Sequence, residues 1–416
     1  MHRAIAAFLA VAFCAPPAPA QTAGMPGHLF ALADALSAAR ASSPMLEAFS
    51  AGLRAARAAR SVAGLRPNPT ASLETENIAG SGNYRGTRSA ETTASIAFPV
   101  ELGGKRSARI AVADSQATRA EIDQAIAAAE LRLRVTQAYS EAVAAEERLQ
   151  IAQNQVQLAN AGLNAAITRV RAGVASPLER QRADVQRVNA TLAADAAGRS
   201  AATARENLAR LIGRPVAGTL DIAWFRRVGA YGPLQPEGAD RSLTLAASAA
   251  DTETAAAQVR LASSQRVPDV TLSAGARRLA ATNDTAAVLS VSVPLPLFNN
   301  GNAALSQARA ERDRAEALQR AAVRETAQAI ATARLEADNA VAAARAATGP
   351  ALLAAEEAAR IARIGYREGK FGQLDLIDAE RALAATRAAA IDALAAYHDA
   401  RARLDRLTAT FDGIAR

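Results

Sequence analysis

The chain has 416 residues, enough for two or three ordinary domains, yet aromatics make up only 4% of it, with nine Phe and one Trp. A large globular core draws on more bulky side chains than that, whereas the Ala, Arg, Leu, Glu and Gln prominent here favour helices that pack closely. The formal charge is +8, but basic and acidic residues alternate, and no basic block is interleaved with aromatics, which excludes a nucleic-acid surface.

The first twenty residues read as a secretory signal. Arg3 supplies the positive start, Ala4 to Ala15 is apolar, and Ala18-Pro19-Ala20 fits a small-x-small cleavage site before Gln21. Cys14, the one cysteine, lies inside that signal, and Phe13 before it is a poor fit to the small residue that lipidation needs. Cleavage after Ala20 leaves a mature chain without thiol or disulfide. No later segment has about 18 consecutive apolar residues, so a transmembrane helix is not expected.

Next comes an opening helix, about Leu29 to Gly64. Two runs of strand length follow, Thr70–Ile78 and Ser89–Phe98, joined by the turn-rich AGSGNYRGTR. Ala90, Thr92, Ala94, Ile96 and Phe98 share one face of the second run. Then FPVELGGKR makes a junction. Pro99 ends the strand, and Gly103 and Gly104 let the backbone turn sharply into a long helix. Leu131, Val135, Ala138, Ala142, Ala145, Leu149 and their successors to Val170 step by four and three without a break, the signature of a coiled-coil seam. A continuous helix from Lys105 to Arg171 would be roughly 100 Å long at about 1.5 Å per residue. A turn at Gly173 returns the chain along a second helix to about residue 212.

A Gly/Pro-rich passage, residues 213–240, leads to a second copy of the same plan. It holds a helix at about Ser242–Ser264, strands at Val270–Leu279 and Thr285–Val293, and the junction VPLPLFNNGN. Pro294 matches Pro99 at a shift of 195, and Asn302 is an expected helix N-cap before Ala303. The second seam runs Ile330, Ala333, Ala337, Ala340, Ala344, Ala347, Ala351, Ala354, Ala358, Ile361, with Pro350 after Gly349 expected to kink it. RAGVASPLERQRAD, from Arg171, matches REGKFGQLDLIDAE, from Arg367, at a shift of 196, which pairs Gly173 with Gly369 and Glu179 with Asp375. The expected units are thus the signal at 1–20, a first repeat at 21–212 and a second at 241–416, joined by 213–240. Their strands span about 70–98 and 270–293, and their helical hairpins about 103–212 and 303–410. Four strands cannot close a pore alone, and open edges are not tolerated in lipid, so a membrane role would require several copies.

The pairs FPVELGGKR and VPLPLFNNGN, the tip YREGKFGQLDLIDAER and the duplicated layout resemble the TolC-like outer-membrane efflux channel family, closest to its cobalt–zinc–cadmium-type branch. That resemblance implies a mainly α protein with a small β part. It also implies a homotrimer in the outer membrane: a β-barrel in outer-membrane lipid and a coiled-coil α-barrel in the periplasm. The implied partners are a periplasmic adaptor protein and an inner-membrane pump of the resistance-nodulation-division type. In the family, acidic residues at the positions of Asp375 and Asp378 ring the periplasmic entrance, and the position of Tyr366 helps hold it closed. Phe371 stands where the best-known channels carry arginine, so an apolar latch is expected. Arg171, Gly173 and Ser176 in the first tip, and Arg367, Gly369 and Lys370 in the second, would face the adaptor.

His2, His28 and His398 are isolated and no Cys/His cluster has metal-ligand spacing, so neither a metal site nor a cofactor nor an enzyme is expected. Two readings stay open on residues alone: an exit duct for exported substrates, heavy-metal cations among them, or an exported periplasmic coiled-coil structural or adaptor protein without a pore. The duplicated strand pairs favour the duct, because a pure coiled coil has no use for them.

Overall fold

The computed structural model describes residues 29–229 and 241–411. The expected signal with Cys14, and residues 230–240 of the Gly/Pro-rich passage, lie outside the described residues. The chain runs β1 (Leu29–Phe30), α1 (Leu32–Ser42), α2 (Pro44–Ala63), β2 (Thr70–Glu76), β3 (Glu91–Val100), α3 (Lys105–Arg171), α4 (Pro177–Ile212), β4 (Thr219–Leu220) and α5 (Ile222–Phe225). It continues as α6 (Leu243–Ser264), β5 (Val270–Leu279), β6 (Asp284–Ser292), α7 (Asn302–Ala346), a π-turn at Ala347–Ala351, α8 (Leu352–Arg367) and α9 (Gln373–Leu407).

The opening helix is two helices rather than one. Ser43 caps the second by accepting from Leu46 N at 3.3 Å, and Pro44 occupies its first position, where a missing N–H costs nothing. The long helix α3 is unbroken over 67 residues. Gly103 (φ +71°) and Gly104 (φ +74°) turn the chain into it. A Cβ on Gly103 would lie 2.7 Å from the Val267 side chain and 2.9 Å from Ser264 O, so glycine is required there for space as well as for φ. Pro99 lies one residue inside β3, paired with Thr271, and Pro294 falls just beyond β6. At the second junction Gly301 (φ +75°) is the N-cap and Asn302 the first helical residue, a correction to the expected cap. The asparagines act earlier: Asn299 Oδ1 accepts from Gly301 N and Asn300 Oδ1 from Asn302 N, both at 3.1 Å. With their side chains shaping the turn, the cap position is left to the residue that tolerates positive φ.

The main apolar core lies midway along the helices, where β1 pairs in parallel with β4. Phe30, Val135, Tyr139, Leu208, Ile212, Leu220, Phe225 and Tyr397 are buried there. Smaller clusters continue the packing towards the sheet: Ile122 with Ala247 and Ala250, and Ile330, Ala333 and Ala337 with Leu404. Ion pairs lace the helix seams, including Arg57–Glu121 at 2.7 Å, Arg119–Asp251 at 2.8 Å and Arg148–Asp392 at 2.7 Å. The sequence therefore alternates charge because each seam is flanked by pairs; being exposed, they set register more than stability.

The second seam shifts register at the expected kink. Gly349 leaves helical geometry (φ −104°, ψ −105°) beside Pro350. Before it Ile330, Ala333, Ala337 and Ala344 are buried, as the 3-4 stepping predicts. Beyond it Ala359 and Ala362 are buried while Ile361 is 47% exposed, one position later than predicted. A π-turn inserts one extra residue, which advances the buried stripe by one.

The four long strands form one antiparallel sheet in the order β2-β3-β5-β6. β2 stops at Glu76 because Asn77 takes positive φ (+57°). Register puts Leu73, Ala94, Ile96, Phe98, Leu272, Ala274, Leu289 and Val291 on one face. Ser72, Glu74, Thr93, Ser95, Ser273, Arg277 and Ser290 lie on the other. Leu289 is 84% exposed and Leu73 74%, so none of the described residues covers the apolar face. On the polar face a Cβ at Gly275 would collide with Ala94 O and Ser95, so glycine there lets β3 and β5 approach closely. β2 and β6 have no partner on their outer edges among the described residues.

Candidate functional site: the paired helical tips

The two hairpin tips fold alike. In the first, Val174 N donates to Arg169 O and Gly173 N to Val170 O, both at 3.1 Å, with Gly173 at φ +71°. In the second, Lys370 N donates to Gly365 O at 2.8 Å and Gly369 N to Tyr366 O at 3.1 Å, with Gly369 at φ +73°. Each is a left-handed glycine closing a helix C-terminus.

The helices leaving the tips start differently. Ser176 caps α4 through its side chain, accepting from Leu178 N at 3.3 Å, with Pro177 first in the helix. The second tip has Gly372 in that place, which has no side chain to offer. Asp375 reaches back instead, its Oδ2 accepting from Gly372 N at 2.9 Å. Glu179, the repeat partner of Asp375, does not reach back to its own N-cap and crosses to the other hairpin. Tyr366 OH donates to Glu179 Oε1 at 3.2 Å. Arg169 Nε lies 3.2 Å from the same oxygen, an ion pair whose N–H is not aimed as a hydrogen bond, and its guanidinium covers the Tyr366 ring at 5.4 Å from the centroid. Burial, then the Glu179 charge, push the Tyr366 phenol above its ordinary range.

Phe371 folds onto its own turn, its ring occupying the space a Cβ on Gly365 would need. The link between the two tips is therefore the Arg169–Glu179–Tyr366 cluster, and the apolar Phe371 stays within its hairpin. Nothing in the sequence around Arg169 marks it for this cluster; only the packing of the two hairpins brings it to Glu179 and Tyr366. Ser176 followed by Glu179 reads as a capping box in the sequence, so the crossing of Glu179 has no local signal. Asp375 and Asp378 are exposed on one face of the first turns of α9, and Asp378 has no partner among the described residues. Arg171, Arg367 and Lys370 are exposed, Lys370 pairing locally with Glu368 at 2.7 Å. Exposed apolar residues, Val174, Leu178 and Leu374, complete the surface of the tips. No group of His, Cys, Asp or Glu among the described residues is arranged to hold a metal ion.

This layout of sheet, junctions and tips recurs in known proteins. A model of the family described as "Outer membrane efflux protein" matches residues 35–214 and 236–410. The chain belongs to that family. It is 32% identical over 324 residues to the cobalt-zinc-cadmium resistance protein CzcC of Cupriavidus metallidurans, covering 76% of each chain. It is also 32% identical over 279 residues, 66% of each chain, to the nickel and cobalt resistance protein CnrC of the same organism. Among solved structures, VceC of Vibrio cholerae superposes with a TM-score of 0.73 at 21% identity, covering 91% of this chain and 96% of that one. A structure of CusC superposes with a TM-score of 0.75 at 18% identity, covering 91% and 92%. The fold is that of the TolC-like channels. As an outer membrane efflux protein, the chain is an outer-membrane channel that extends into the periplasm, and the pore-less coiled-coil reading falls away.

Proposed function

We propose that three copies of this chain assemble into one exit duct for divalent heavy-metal cations, fed by an inner-membrane pump of the resistance-nodulation-division type through a periplasmic adaptor. The observation that carries the assembly is the sheet: polar on one face, apolar and uncovered on the other, with both edges open. Three such sheets joined β6 to β2 would make a twelve-stranded wall with no free edge, polar inside and apolar towards lipid. The helical hairpins below would likewise bury their Ala-rich seams against neighbouring copies. Heavy-metal cargo is supported by the names of the relatives, which are resistance proteins for cobalt, zinc, cadmium and nickel.

In this reading the tips are the periplasmic entrance. Asp378, exposed and without a partner among the described residues, and Asp375 beside it would give a threefold ring of carboxylates that favours cations by charge alone. The Arg169–Glu179–Tyr366 cluster would hold the two hairpins of one copy together and so keep the entrance narrow, with Phe371 stiffening the second turn. Arg171, Gly173, Ser176, Arg367, Gly369 and Lys370 would present the adaptor-facing surface. Conductance of the purified protein in planar bilayers tests this. Wild type is expected to show a small cation-preferring conductance, and Asp378→Asn to lose much of that preference with its fold intact. Glu179→Gln, which removes the charge shared by Arg169 and Tyr366, is expected to raise open probability. An unchanged ion preference in Asp378→Asn would remove the ring, and conductance indifferent to Glu179→Gln would remove the latch.

A further inference from the structure

The outward face of the sheet carries one charged side chain, and it is an arginine. Every acidic residue of the four long strands, Glu74, Glu76, Glu91 and Asp284, lies on the polar face. There Arg277 is neutralised, 2.9 Å from Glu91 and 3.4 Å from Glu76. Arg278, on the outward face, has no carboxylate partner among the described residues; its Nη2 donates to Asn283 Oδ1 at 2.8 Å. It sits in the cross-strand row Thr75, Thr92, Arg278, Thr285, directly above the apolar row Leu73, Ala94, Ala276, Ala287. The apolar band thus ends at a row of hydroxyls and one cation.

Beyond that row, residues 77–90 connect β2 to β3 without an acidic residue. Arg85 and Arg88 in this loop are exposed and have no ionic partner among the described residues, and Tyr84 beside them is 52% exposed. These loops lie at the end of the sheet away from the helices. Because the helices reach into the periplasm, that end meets the outer leaflet. The outer leaflet of an outer membrane is built largely from lipid A, a glycolipid that carries phosphates. Guanidinium groups bind phosphate in a forked geometry and are favoured over ammonium where the charge is partly desolvated. We propose that Arg278, Arg85 and Arg88 form a rim that binds the phosphates of outer-leaflet lipid A. The proposal rests on the outer-membrane placement of the sheet and is independent of what the tips do.

The test uses the full-length purified oligomer in phosphatidylethanolamine vesicles containing lipid A, beside vesicles containing lipid A stripped of its phosphates. Lipid A retained per chain after re-extraction in detergent is read by mass spectrometry. Wild type is expected to retain the phosphorylated form, and each arginine changed to Gln to weaken retention by about fivefold. Arg85→Lys/Arg88→Lys/Arg278→Lys is expected to keep more than the triple Gln variant, and Arg277→Gln, on the opposite face, to retain as wild type does. Unchanged retention by the triple Gln variant overturns the proposal. So does equal retention of the two lipid A forms by wild type, a result that requires no variant to fold. Single-channel conductance of the same samples separates the readings, since a failed rim leaves a conducting channel.

Discussion

His398 looks isolated in the sequence, but the tertiary structure places it at the centre of an aromatic cluster. Its ring stacks on Trp224 at 4.1 Å and Phe225 at 5.4 Å, and Tyr397 meets it edge-on at 4.9 Å. Nε2 lies 2.8 Å from Phe225 O; a carbonyl only accepts, so Nε2 carries the proton. At 2% exposure the imidazolium is disfavoured, and burial holds the pKa below the usual 6.5. Below that value the unfolded chain takes up a proton that the folded chain refuses. The stability this residue contributes is therefore complete above about pH 6.5 and declines as the pH falls through it. Thermal unfolding at pH 7.5 and pH 5 should show this, with a smaller drop in His398→Phe than in wild type, although that variant starts lower because Phe225 O loses its donor. A drop equally steep in both would remove His398 as the cause. Nearby, Tyr139 ties two segments to α3: its OH donates to Phe30 O at 2.6 Å and accepts from Asp221 N at 2.9 Å. Burial pushes that phenol up to about 12, so it remains protonated across the working range.

At the scale of elements, junctions and register matter more than any single contact. Gly103→Ala combines a disfavoured positive φ with a collision against Val267 and should cost roughly 1–3 kcal/mol, read as a lower melting temperature. A variant melting with wild type would mean the junction relaxes freely. The π-turn makes a different demand. Deleting Gly349 would rotate α8 back by one residue, swinging Ala359 and Ala362 off α9 and breaking the pairs Arg363–Glu380 and Arg387–Glu356. Limited proteolysis should then cut within residues 352–372 while α3 and the sheet stay protected. Protection equal to wild type would show that the extra residue is absorbed elsewhere.

At the scale of the molecule, the sheet is unstable as a lone object in lipid, with apolar side chains uncovered and two edges unpaired among the described residues. Membrane assembly should depend on which face receives a charge. Leu289→Arg, on the apolar face near the middle of β6, should cost about 2–4 kcal/mol and reduce recovery of the heat-sensitive oligomer from outer membranes. Ser290→Arg, the next residue but on the polar face, should assemble normally and alter ion preference instead. Equal recovery of the two variants would contradict the assignment of faces.

Local chemistry made much of this legible from the sequence: the repeat, the strand pairs, the glycine junctions, the unbroken α3 and the kink at Gly349-Pro350 all follow from backbone preferences and side-chain period. The resemblance that FPVELGGKR, VPLPLFNNGN and the second tip carry was enough for the family. Three things were not local. The one-residue shift after Ala351 depends on how a π-turn closes, which periodicity cannot foresee. The burial of His398 depends on α5 folding over α9, with 173 residues between His398 and Phe225. The cluster of Arg169, Glu179 and Tyr366 depends on two hairpins, 187 residues apart at Glu179 and Tyr366, lying side by side. Sequence determines what each segment can become, because propensity acts over a few residues. Tertiary structure alone decides which acid caps its own helix and which crosses to a neighbour, because that choice depends on what lies within about 3 Å once the chain is packed.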